Sequence, residues 1–370
     1  MRSRLFAAAV ICLLAPSGAR ADTWDLNLGR LCQIETASGR RLDCGGGYTE
    51  VDPVKSVIAD NAAFRSLMSE MGVIFAPNVL FPAETQGYSG FNVAAEFGWT
   101  GVNTTRTSKD QYIPGEHYYW RAAESVSRQA FTNPDPAARD VVRLHNELPS
   151  SFAPTVTVIA RKGLWIPVPS FELGVGMRHL FGSRMFAPFA QAKLALHEGF
   201  HGWPVPSLAI RGSGSRVLNT TGYNLTVGAL DFSVSKRFGI ASTWNLTPYT
   251  GYQLLWIVAD SEVIDATPSI DAMGRTYGAV GGDPLQLNQC RDNDCNGSFT
   301  FANQSNITRH RFFIGLRANF YIVSLTAEYT FFASGSTSDE IAAQAGIPGI
   351  TIADQSGTQH TISFSLSLDY

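Results

Sequence analysis

Three short strings in the 370-residue chain have residue types and spacing suited to chemistry. His197-Glu198-Gly199-Phe200-His201 reads H-E-x-x-H. On a helix this spacing puts both imidazoles on one face to bind Zn²⁺, with the glutamate as general base. Asp292-Asn293-Asp294-Cys295-Asn296-Gly297 reads D-x-D-x-N-G, which offers Asp292, Asp294 and Asn296 as oxygen ligands for calcium. The twelfth position of that loop is Asn303 where a bidentate glutamate would be needed, so any affinity belongs to the weak, extracellular range. His117-Tyr118-Tyr119-Trp120 is an aromatic cluster suited either to ligand contact or to packing a loop. No cofactor is expected beyond this possible calcium.

The surroundings decide how each string is read. Ala190, Ala192, Leu194 and Leu196 alternate with Gln191, Lys193 and His197, a period of two that predicts a strand leading into His197. In a strand, residues four apart are separated by roughly 13 Å and cannot share one zinc. Gly199 and Pro204 break a helix there, and no third ligand follows, so a strand end running into a turn is the simpler reading. The acidic loop also has a plain alternative, since Asp and Asn favour turns for their own reasons.

The same alternation recurs along the chain, and we read ten strands: residues 88–102, 155–162, 168–180, 186–197, 206–215, 223–237, 246–264, 309–320, 321–333 and 361–370. One face of each is apolar, as with Phe91, Val93, Ala95, Phe97 and Trp99, or Val323, Leu325, Ala327, Tyr329 and Phe331. The other face carries Glu96, Arg161, Glu172, Arg178, Lys193, Arg211, Arg311, Arg317 and Glu328, so both signs of charge share one side of the sheet. Two strands deviate. In 223–237 the apolar phase slips after Ala229, which suggests a bulge, and 254–258 is apolar on both phases, as if packed against something inside.

The last ten residues alternate most strictly, with Ile362, Phe364, Leu366, Leu368 and Tyr370 against Thr361, Ser363, Ser365, Ser367 and Asp369. In this the chain resembles the Gram-negative outer-membrane β-barrel proteins, whose closing amphipathic strand ends in an aromatic residue read by the assembly machinery. The resemblance implies an all-β fold, a transmembrane up-and-down antiparallel β-barrel of about ten strands over residues 88–370, with lipid against the apolar face and the nine charges as a network in the lumen. A hairpin missed in a long loop would make twelve. Loop lengths agree with this topology, because the long connections 103–154, 265–308 and 335–357 fall on one parity and the shorter ones on the other.

The remaining features bound the compartment. Arg2 and Arg4, an apolar run from Leu5 to Ala15 and the string Ala19-Arg20-Ala21 predict a signal peptide over residues 1–21. The four cysteines beyond it fall in two close pairs, Cys32 with Cys44 and Cys290 with Cys295, which in an exported chain predicts two local disulfides. Charged residues are 16% of the chain, against about 25% in soluble domains. The net charge of −3 leaves no basic footprint for nucleic acid. Residues 22–87 lack clear alternation and contain one short helix near 61–71; they form a small irregular segment, either a periplasmic collar or a plug.

Location in the bacterial outer membrane follows, with membrane lipid and the assembly machinery as partners. The leading functional expectation is a narrow, porin-like channel for transport of small solutes, or an envelope structural protein. The alternatives are a barrel-embedded enzyme, a protease as in the ten-stranded omptins or a lipid A modifying enzyme, and a surface-binding or adhesion protein acting through its long loops. Such an enzyme needs acidic and His residues gathered at the outer rim, and His310 beside Arg309 and Arg311 gives only a hint of that.

Overall fold

The computed structural model describes residues 24, 28, 31–36, 41–43, 54–102, 118–120, 151–165, 170–198, 205–240, 244–265, 298–335 and 354–370. The N-terminal part contains a three-stranded antiparallel sheet of β1 (Cys32–Thr36), β2 (Arg41–Asp43) and β3 (Val54–Ala59), with β1 in the middle. A 15-residue helix, α1 (Asn61–Phe75), follows. Its start is set by Asp60, whose carboxylate accepts a hydrogen bond from the Ala63 amide at 2.9 Å. Its end is set by Pro77, which forces Ala76 into an extended conformation. Every residue from Ala63 to Phe75 is buried, including Arg65, Ser66, Ser69 and Glu70. A helix enclosed on all sides needs walls all round it, and the barrel supplies them.

Ten antiparallel strands form that barrel: β4 (Phe91–Gly101), β5 (Phe152–Leu164), β6 (Phe171–Leu180), β7 (Phe186–His197), β8 (Ser207–Val217), β9 (Tyr223–Ser235), β11 (Trp244–Ser261), β14 (Gln304–Phe320), β15 (Val323–Phe332) and β16 (Gln359–Asp369). Each pairs with its neighbour in sequence, and β16 pairs with β4, from Thr361↔Thr100 to Asp369↔Asn92, so the sheet closes on itself. Closure removes both free edges. The short β10 (Phe238–Ile240) extends the turn before β11, and β12 (Ile264–Asp265) pairs with β13 (Ser298–Phe299) beyond the barrel rim. No strand is added to the wall from the described parts of the long connections, so the count is ten and not twelve.

The outer wall is apolar over its whole circumference. Val93, Phe97, Leu173, Val175, Phe232, Phe312, Ile314, Leu325, Ile362, Phe364 and Leu366 all face outward and exposed. Aromatic residues gather at the two rims: Tyr88, Trp165, Phe238, Trp244, Phe320, Tyr321 and Tyr370 at one, Trp99, Phe152, Phe181 and Trp256 at the other. An apolar belt between aromatic girdles matches hydrocarbon between two lipid interfaces. No described helix is long and apolar enough to cross a membrane. This is a transmembrane β-barrel, and its place is the bacterial outer membrane. Both barrel termini lie at the rim with the short turns, where the Tyr370 amide donates to the Phe91 carbonyl at 2.8 Å; that rim is the periplasmic one and the long connections leave from the outer one.

The expected bulge in β9 is absent. Its pairing with β8 and β11 runs without a register shift, and Leu225, Val227 and Ala229 point into the lumen in phase with Asp231, Ser233 and Ser235. The reason is α1, which fills the outer half of the lumen and offers an apolar surface there. Leu255, Ile257 and Ala259 of β11 meet the same helix, which explains why that strand is apolar on both faces.

Candidate functional site in the barrel lumen

The structure places all nine charged positions, Glu96, Arg161, Glu172, Arg178, Lys193, Arg211, Arg311, Arg317 and Glu328, inside the barrel and buried. Period-two geometry puts them there, since each alternates with lipid-facing neighbours. They are joined in ion pairs: Arg161 with Glu96 at 2.9 Å, Lys193 with Glu172 at 3.3 Å and Arg311 with Glu328 at 3.1 Å. Arg211 and Arg317 find acids that the sequence reading did not single out. Asp231 lies 2.8 Å from Arg211, and Asp369 lies 2.7 Å from Arg317. Both were signalled by alternation, Asp369 on the polar face of the last strand and Asp231 in phase with Ser233 and Ser235. Arg178 has no acid within ion-pair distance among the described residues; it donates to the Thr157 hydroxyl at 3.0 Å.

The plug alternative for the N-terminal segment did not foresee how these charges would hold it. Residues 76–86 run as an irregular strap, bent at Phe81 and again at Ala83 and Glu84, from the end of α1 down the lumen to the periplasmic rim, where the chain turns into β4. The wall holds the strap mainly by its backbone. Arg178 donates to the carbonyls of Ile74, at 2.9 Å, and Ala76. Arg311 donates to Pro77 at 3.2 Å, Arg211 to Asn78 at 2.7 Å, and Lys193 to Pro82 at 3.3 Å and Glu84 at 2.7 Å. Wall acceptors take the amides: Leu80 donates to Glu328 at 2.8 Å, Ala83 to the Ser235 hydroxyl at 3.1 Å, Thr85 to Glu198 at 2.6 Å and Gln86 to Glu172 at 3.0 Å. Leu80 sits at φ 35°, a conformation costing a side-chain-bearing residue about 1–3 kcal/mol, held by the Glu328 contact.

One strap side chain is gripped strongly. The Phe81 ring has Lys193 Nζ 4.0 Å from its centroid, the Arg317 guanidinium at 4.1 Å and that of Arg161 at 5.0 Å. Three cations over one ring use its negative face where carboxylates alone cannot surround them.

The outer half of the lumen is closed by α1 and what packs on it. Glu70 accepts from the Tyr119 hydroxyl at 2.7 Å and from the Trp120 indole. Burial first, and the Glu70 charge second, push the Tyr119 phenol well above its ordinary range, so it stays a donor. Arg309, also missed in the sequence, bonds Ser69 at 3.0 Å and Ser356 at 2.6 Å, tying α1 to the wall and to the last long connection. Phe64 stacks on Phe301 with centroids 4.4 Å apart.

The other sequence candidates are placed as follows. His197 ends β7, as the alternation leading into it predicts, and Glu198 accepts from Thr85 and from the Ser170 hydroxyl at 2.7 Å. His201 lies outside the described residues. Among the described residues no three His, Cys, Asp or Glu side chains gather to hold a metal. Asp292, Asp294 and Asn296, with Cys44, Cys290 and Cys295, lie outside the described residues too. Cys32 opens β1, and the β1–β2 ladder sets Gln33 opposite Asp43, the sequence neighbours of Cys32 and Cys44. Tyr119 and Trp120 are packed inward, not displayed. The enzyme hint at His310 is overturned: Arg309 and Arg311 point into the lumen, whereas His310 faces outward against Tyr252, 2.6 Å from its hydroxyl.

A closed ten-stranded antiparallel barrel with an apolar outside and a charged, occupied inside defines an outer-membrane β-barrel protein. No protein-family model matches the chain, and no curated protein matches it in sequence. Among solved structures, Ail, the attachment invasion locus protein of Yersinia pestis, is similar at a TM-score of 0.22 and 9% identity, over 76% of this chain and 99% of that one. The in-vitro folded OmpT, an outer membrane protein of Vibrio cholerae, is similar at a TM-score of 0.23 and 10% identity, over 59% of this chain and 60% of that one. Likenesses this distant say nothing of function.

Proposed function

We propose that this protein is an outer-membrane barrel sealed by its own N-terminal segment, working from its outer face as a surface-binding protein. The observation that carries this reading is the occupied lumen. α1 is buried on every side, and the strap below it is bonded along its length to wall groups. A resting solute channel needs a water path past Arg178, Lys193 and Glu328, and those three groups hold the strap instead. The long connections at the outer rim, with the N-terminal sheet, supply the surface on which a partner is bound. The two cysteine pairs would staple those outer segments.

The purified protein in planar lipid bilayers tests the seal. A silent membrane is expected, and discrete conductance steps from the untreated protein would return the narrow-channel reading to first place. Deleting 269–297 tests the surface role, with partner retention lost while the barrel keeps its heat-dependent shift on gels. Unchanged retention would remove it.

A further inference from the structure

The two ends of the plug lie at opposite rims. Residues 86–91 are at the periplasmic rim, where Gln86 Nε2 reaches Asp369 at 3.2 Å and Phe91 meets Tyr370. Trp24 is at the outer rim: its amide donates to the Gly182 carbonyl at 2.8 Å, in the β6–β7 connection, and its ring meets Trp120 edge-on at 5.9 Å. The Asp60 amide bonds the Leu31 carbonyl at 2.9 Å just above α1. The described N-terminal residues up to 59 therefore stand on the outside of the membrane. The main chain that joins them to the wall passes down through the ring.

The lumen is also built to hold a passing chain. Arg178, Arg211, Arg311 and Lys193 donate to strap carbonyls, while Glu328 and Glu172 accept from strap amides. Carbonyls and amides recur in every polypeptide, so a wall that reads them discriminates little between sequences. Charged groups suit the task because each such bond is stronger than a neutral one, and the group keeps a partner when a segment slides by one residue.

We propose that the lumen is a binding track for polypeptide without secondary structure, read through its main chain, and that along it the barrel delivers its own N-terminal residues to the cell surface. This reading stands apart from the surface-binding function, since it concerns the route and not the partner. A short epitope inserted after Asp22 tests it in full-length protein on intact cells. Antibody should bind intact cells, and two inserts of unlike composition, one rich in Gly and Ser and one in Glu and Lys, should be displayed equally. Antibody binding only after the outer membrane is permeabilised, while an epitope placed in the 266–297 connection is detected on intact cells, overturns the proposal. So does display of one insert and not the other, with immunoblots showing both retained. Arg178→Leu, which removes two carbonyl contacts, should lower display per heat-modifiable barrel. Arg178→Lys should restore part of it, and equal display in all three proteins would dismiss the track. Bilayer conductance is read separately, so a leaky barrel with a displayed N-terminus refutes the seal and leaves the route standing.

Discussion

Glu328 is a junction between two parts of the wall and the strap. Its carboxylate holds Arg311 at 3.1 Å, the Leu80 amide at 2.8 Å and the Tyr249 hydroxyl at 2.9 Å, so it joins wall to wall and wall to strap. Removing one partner of a buried ion pair costs about 3–5 kcal/mol, because the other charge is left uncompensated, whereas replacing both by apolar groups is often neutral. Glu328→Leu is therefore expected to lower sharply the urea concentration at which the folded gel band disappears. Adding Arg311→Met should recover most of the loss. A double variant as weak as the single would show that the strap contact, not the stranded guanidinium, carries the energy.

At the scale of elements, α1 and β11 touch at Gly72. A Cβ at that position would lie 2.4 Å from Ile257 Cδ1, so the helix seats against the wall only because no side chain is there. Helix propensity alone would favour alanine by about 1 kcal/mol. Overpacking of a filled core costs about 1–3 kcal/mol, and here the clash is direct. Gly72→Ala is expected to destabilise, read as a lower temperature of the gel shift, and Ile257→Ala in the same chain should relieve it. The strands were legible in sequence because lipid and lumen impose opposite demands on adjacent residues. That rule holds wherever the lumen is polar. It fails in the outer half of β9, where Leu225 and Val227 look lipid-facing and in fact meet α1. The helix itself was visible near 61–71, though not its extension to Phe75. The strap left no trace, since residues 76–86 follow neither period, and the partners that fix them lie far along the chain.

The whole molecule depends on a lipid-facing wall without charge. Phe364 lies midway along β16, opposite Phe97 and Ala327 on its two neighbours, and is exposed on the outside. An arginine at mid-membrane on a barrel's outer face costs about 2–4 kcal/mol, falling towards the interfaces. Phe364→Arg should reduce the folded fraction in bilayers by that energy, while the same change at Tyr370 on the rim should cost little. Equal penalties at both positions would mean that Phe364 does not sit in hydrocarbon.

The strap also settles how the molecule bears load. Pull applied to the outer N-terminal residues travels down the axis towards the main-chain junction at Phe91, on the far side of the membrane. Before that junction takes the full load, Phe81 must leave its three cations and the backbone must be stripped from Arg178, Arg211, Arg311 and Lys193 on the wall. A tether moored this way yields in stages and spares its anchor.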